Sequence, residues 1–98
     1  MDKRKIYQEK AQAKLDELDA RINLLKAQAK NEAADAKVGA NEQLPEMGTL
    51  RKNLEARLSQ LGDAGENAIE ELGKGVEHAM SDIEEALKNA DKELHKTQ

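Results

Sequence analysis

Cysteine is absent from this chain, and so are phenylalanine and tryptophan. Without cysteine there is no disulfide, no thiol chemistry and no thiolate metal site. The single aromatic residue, Tyr7, cannot supply the large buried rings that usually anchor a globular core. Proline occurs once, at Pro45, so most of the sequence is free of obligatory helix breaks. Long apolar runs are also missing: the longest, such as Leu24-Leu25, is two residues. The basic start Lys3-Arg4-Lys5 is followed by no apolar segment. Neither a secretory leader nor a membrane span is therefore expected, and a cytoplasmic location is.

What remains is rich in helix formers. Charged residues make up 37% of the 98 and hydrophobic ones 38%, and Ala, Leu, Glu, Lys and Gln dominate. One helical domain with a narrow apolar seam fits this composition better than a thick core. From Ala11 the apolar residues step by four and three: Ala11, Leu15, Leu18, Ile22, Leu25 and Ala29. That is a heptad seam. It thins into Ala33, Ala34, Ala36 and Ala40, with Glu32 falling on it. The last third repeats every eleven residues instead. Leu61, Leu72, Ile83 and Leu94 form one series, Ala68, Ala79 and Ala90 another, and Val76 with Leu87 a third. Eleven residues make three turns, which favours nearly straight packing.

Two places interrupt the periodicity. Gly39, Asn41, Pro45 and Gly48 fall within ten residues, and a helix-interior proline costs about 3 kcal/mol. The second is Leu61-Gly62-Asp63-Ala64-Gly65-Glu66, where Asp63 and Glu66 have capping-box spacing. The pattern predicts helix A over about 3–38, a turn over about 39–48, and a second arm over about 49–96 that bends at 62–65. Its alternative puts the reversal at 62–65. At 1.5 Å per residue the arms measure roughly 54 and 72 Å, or roughly 90 and 48 Å. Neither hairpin covers its own longer arm.

The expected fold is all-α, an antiparallel helical hairpin or coiled coil assembling into an oligomeric bundle. The expected self-association seam is Leu15, Leu18, Ile22, Leu25, Leu54, Leu58, Leu61, Leu72, Val76, Ile83 and Leu87. The leftover stripe calls for a second copy, and partner helices could dock on the same seam. Charge supports lateral pairing. Residues 1–61 hold twelve Lys/Arg against ten Asp/Glu, and residues 62–98 hold four against ten. Opposite charges flanking a seam help fix its register.

Chemistry is hard to find. His78 and His95 lie seventeen residues apart, with Asp82 and Asp91 four residues from one or the other. No His-Glu-x-x-His or Glu-x-x-His motif occurs, so no metal or other cofactor is expected. Glu70-Glu71 and Glu84-Glu85 are adjacent carboxylates of a solvated helix, without the burial that would shift a pKa. Gly73-Lys74-Gly75 lacks phosphate-loop spacing. The protein is expected not to be an enzyme. The basic clusters Lys3, Arg4, Lys5, Lys10 and Arg51, Lys52, Arg57 sit in a chain of net charge −4 that lacks stacking aromatics, which argues against nucleic acid. Membrane-surface binding by the amphipathic arm Ala68, Ile69, Leu72, Val76, Met80, Ile83, Leu87, Leu94 is disfavoured by that arm's acidity.

Several runs resemble a family of small bacterial coiled-coil proteins, some of them described as stress-response proteins of a cyanobacterial type. They are Tyr7-Gln-Glu-Lys-Ala-Gln-Ala-Lys-Leu-Asp-Glu-Leu18, Ala34-Asp-Ala-Lys37, Leu61-Gly-Asp-Ala-Gly-Glu-Asn-Ala68 and Gly75-Val-Glu-His-Ala79. The chain departs from that pattern at Pro45 and Gly48, and at Ile69 and Met80 in place of tryptophan. The resemblance implies a stress-related bacterial protein without a defined activity. A second expectation is a partly disordered stress protectant or lipid-surface binder that gains helix on contact.

Overall fold

The computed structural model describes the backbone over residues 3–30 and 34–96 and side-chain environments over 3–30 and 37–90. Three helices fill it: α1, Lys3–Ala29; α2, Ala34–Asp63; and α3, Ile69–Lys96, which is entered through a 3-10 turn at Glu66–Ala68. No strand occurs among the described residues. Their 27, 30 and 28 residues correspond to rods of roughly 40–45 Å. The principal extents of 51 × 21 × 17 Å are those of three such rods lying side by side.

The interhelix contacts give the directions. Arg51 on α2 pairs with Asp19 on α1, and Gly62 lies beside Gln8, so α2 runs antiparallel to α1. Lys3 pairs with Glu70 and Tyr7 lies against Gly73, so α3 runs parallel to α1. The chain goes up, down and up, and each helix packs on both others.

The α-class reading stands, and the hairpin within it becomes a three-helix bundle. The turn expected at 39–48 is helical: α1 ends at Ala29, and α2, already antiparallel to it, begins at Ala34. Helix A accordingly stops short of 38. Pro45 lies inside α2 with its ring exposed to water. Its missing N–H leaves the Asn41 carbonyl without its usual helical donor. Packing outweighs that local cost: Ala40 and Met47 are buried, and Leu44 and Leu50 pack against the core. The Thr49 hydroxyl donates to the Pro45 carbonyl at 3.0 Å instead of capping a new helix.

The second interruption is a true reversal, not a bend in one long arm. Ala64 and Gly65 leave the helix, and Gly65 is extended at φ −71°, ψ 164°. The Ala64 N–H donates to the Leu61 carbonyl (3.3 Å) and the Ala68 N–H to the Gly65 carbonyl (3.0 Å), which closes the corner. Gly65 takes the cap position with no side-chain hydrogen bond, so the expected capping box of Asp63 and Glu66 does not form. The Arg4 guanidinium from α1 donates to the Ala64 carbonyl and pins this corner.

Both seams nevertheless find the core. Ala11, Leu15, Leu18 and Leu25 are buried on α1, with Ile22 and Ala29 packed beside them. Leu54 and Leu61 meet them from α2, and Ile69, Val76, Ala79, Ile83 and Ala90 from α3. The eleven-residue series therefore spans two antiparallel helices, Leu61 on one and Leu72 and Ile83 on the other. Glu32 and Ala33 lie outside the described residues, as do the side chains of Ala34, Ala36, Leu94 and His95.

Candidate interaction surface

All eleven residues expected to form a self-association seam lie in the interior of one chain. Leu15, Leu18, Leu25, Leu54, Leu61, Val76 and Ile83 are buried, and Ile22, Leu58, Leu72 and Leu87 pack against them. Three rods of similar length cover one another, so the uncovered arm that called for a second chain does not exist. The expected seam packs within one chain, with Leu87 at its edge, where it also lines a surface recess.

Every large hydrophobic that points outward is therefore of interest. Ile6 is 38% exposed, Leu24 46% and Val38 56%. Ile6 and Leu24 are eighteen residues apart on α1, which is five full turns. They share a face with the exposed Ala13 and Ala20. This is a second stripe on α1, rotated away from the core seam. Each bulky residue borders a recess between α1 and α3. One, of ≈ 200 Å³, is lined by Lys3, Ile6, Tyr7, Lys10 and Glu77. The other, of ≈ 270 Å³, is lined by Glu17, Ala20, Arg21, Leu24 and Leu87. The signal was present in the spacing 6-13-20-24, but a helix already assigned one apolar face masks a second made largely of alanine.

The electrostatics of the same boundary follow from register. Lys3, Lys10 and Glu17 recur every seven residues on α1, and Glu70, Glu77 and Glu84 every seven on α3. The Lys3–Glu70 ion pair sets the first rung. It raises the Lys3 pKa and lowers that of Glu70, in both cases chiefly through the hydrogen bond between them. One heptad on, Lys10 and Glu77 line the same recess. The third repeat brings two carboxylates to the same level, each served by a lysine of its own helix: Lys14 Nζ at 3.0 Å from Glu17 Oε2 and Lys88 Nζ at 3.9 Å from Glu84 Oε1.

The α1–α2 boundary is closed by a fork. Arg51 Nε donates to Asp19 Oδ1 at 2.6 Å and Nη2 to Oδ2 at 3.3 Å. Hydrogen bonding to the guanidinium holds the Asp19 carboxyl below its ordinary range and raises the Arg51 pKa. Arg51 also pairs with Glu55 on its own helix. Arg57 Nε donates to Asn53 Oδ1 at 3.3 Å. Four residues of the two basic clusters (Lys3, Arg4, Arg51 and Arg57) are thus engaged within the chain.

Gly73 and Gly75 have a packing role. A Cβ on Gly73 would lie 2.5 Å from Cζ and 2.6 Å from Cδ2 of Tyr7, and one on Gly75 would lie 2.7 Å from Arg57 Nη1. The only aromatic ring of the chain rests on a glycine, which lets α3 approach α1 closely. His78 and Asp82 are exposed. Among the described residues no three His, Cys, Asp or Glu side chains come together as a metal site would require. No helix among them is long and apolar enough to cross a membrane. Comparison with protein-family models, curated proteins and solved structures found no match.

Proposed function

We propose that this chain is a non-enzymatic structural and interaction protein, a three-helix bundle that works by docking a helix along its α1/α3 boundary. The observation that carries the reading is the second stripe of α1, where Ile6 and Leu24 stay in water beside two recesses. Leaving two large aliphatic side chains on one face forgoes about 1 kcal/mol or more each of burial, which a docked helix recovers. The electrostatics point the same way. No polar or charged residue is buried among the described ones. Each resolved pKa shift belongs to an exposed or half-buried ion pair and drives its group further into the charged form. Catalytic acids and bases need the opposite, a pKa brought towards the working pH.

The lipid-surface alternative has less support, because the face of α3 that would enter a membrane lies in the core. A role in stress, a bacterial source and a cytoplasmic setting rest on the sequence reading alone.

A photo-crosslinking residue placed at Leu24 tests the docking reading, with the same residue at exposed Ser59 on α2 as control. Crosslinked protein products concentrated at position 24 support it. Equal yields at both positions, or none, overturn it.

A further inference from the structure

We infer that the helix docked on this boundary is α1 of a second copy, lying antiparallel across the first; this rests on the docking reading above. A two-fold interface requires a surface complementary to itself. Ile6 and Leu24 are equidistant from the level of Leu15, so antiparallel overlay of two α1 helices about that level sets Ile6 of each copy against Leu24 of the other. Each bulky side chain then meets the recess beside its counterpart, ≈ 200 Å³ at Ile6 and ≈ 270 Å³ at Leu24. Ala13 and Ala20 lie between them and allow the helix axes to approach.

Charge agrees with this register and opposes the parallel one. In the antiparallel overlay Lys10 lands level with Ala20 of the second copy, about 4.5 Å along the axis from its Glu17 and within reach of a lysine side chain, and the contact occurs twice. In a parallel overlay Lys10 would face Lys10 and Glu17 would face Glu17. The stripe from Ile6 to Leu24 is about 27 Å long and one helix of about 10 Å wide. That is well short of the ~800 Å² per partner of a standard interface. The dimer is accordingly weak, and its population rises with concentration and falls with salt, because exposed charge pairs are screened.

Sedimentation equilibrium at low salt, from about 20 µM to about 1 mM, tests this with Lys10→Glu and Glu17→Lys. Both positions are exposed, and losing the surface Lys14–Glu17 pair leaves the fold intact because such pairs contribute little; circular dichroism checks each variant before sedimentation. Wild type is expected to dimerise. Each variant alone places like charges at both contacts, and its association constant should fall at least several-fold. An equimolar mixture of the two variants places opposite charges at both contacts and should restore association as a heterodimer. A wild type that stays monomeric at the top concentration, unchanged association in either variant, or a mixture no stronger than its components overturns the inference. Crosslinking at position 24 to a different protein, with wild type monomeric, would sink the second copy and leave the docking reading standing.

Discussion

Three glycines in helices make opposite predictions for the same substitution, and Gly73→Ala is the decisive one. In an unobstructed helix interior alanine is about 1 kcal/mol better than glycine. Gly39 and Gly48 are unobstructed, since a Cβ at either meets nothing within 4 Å. Each alanine variant should therefore gain about 1 kcal/mol, or about 4–8 °C in Tm for a domain of this size. At Gly73 the same Cβ would lie 2.5 Å from Cζ of Tyr7. Ordinary contact is 3.4–4 Å, so the ring or the α1–α3 pair must give by about 1 Å. Overpacking of this kind costs about 1–3 kcal/mol. Against the propensity gain, the net effect is a loss of about 1 kcal/mol, and Tm falls where the other two rise. The coupling with Tyr7 isolates the cause. In the background Tyr7→Ala, Gly73→Ala should recover its gain of about 1 kcal/mol, giving a coupling of at least about 1 kcal/mol in a double-mutant cycle. Urea and thermal melts followed by far-ultraviolet circular dichroism measure all of these variants. If Gly73→Ala raises Tm as much as Gly39→Ala does, the ring does not rest on Gly73 and the α1–α3 register is wrong.

Pro45→Ala should stabilise by up to about 3 kcal/mol, because it restores a hydrogen bond inside a helix. Amide exchange in wild type should be faster over residues 37–48 than over 50–61, since the first stretch carries both open glycines and the proline. The folded-state pKa values of Asp19 and Glu70 lie below their ordinary 3.8 and 4.5. Their stabilisation is complete above those ordinary values and is lost as pH falls through the lowered ones. Acid titration of Asp19→Asn should therefore show a flatter stability loss below about pH 4. The raised pKa of Lys3 works at the other end, its contribution present below 10.5 and lost as pH rises through the folded-state value. Ile83→Asp puts an unpaired carboxylate among fully buried neighbours and should cost more than about 4 kcal/mol. Loss of cooperative melting in the monomer, at any concentration, would be the readout.

The apolar spacing by itself determined that the chain is helical and which residues go inside. Leu15, Leu18, Leu25, Leu54, Leu61, Val76 and Ile83 are buried whichever way the helices are connected, because a stripe at three and four residues has only one dry side. Where the helices end was decided by tertiary structure. Pro45 and the glycines beside it carry a local cost of a few kcal/mol, and the burial of Ala40 and Met47 outweighs it. At Gly65 the local cost is smaller, yet the chain turns there, because α3 must lie beside α1 for Tyr7 to reach Gly73 and Lys3 to reach Glu70. A seam residue's partner is likewise invisible in one helix: the same leucines serve a dimer of hairpins or a monomeric bundle, and helix length and direction choose between them. The stripe of Ile6, Ala13, Ala20 and Leu24 acquires meaning only once three helices are assembled, because until the core seam is filled from within there is no outer face to distinguish it from.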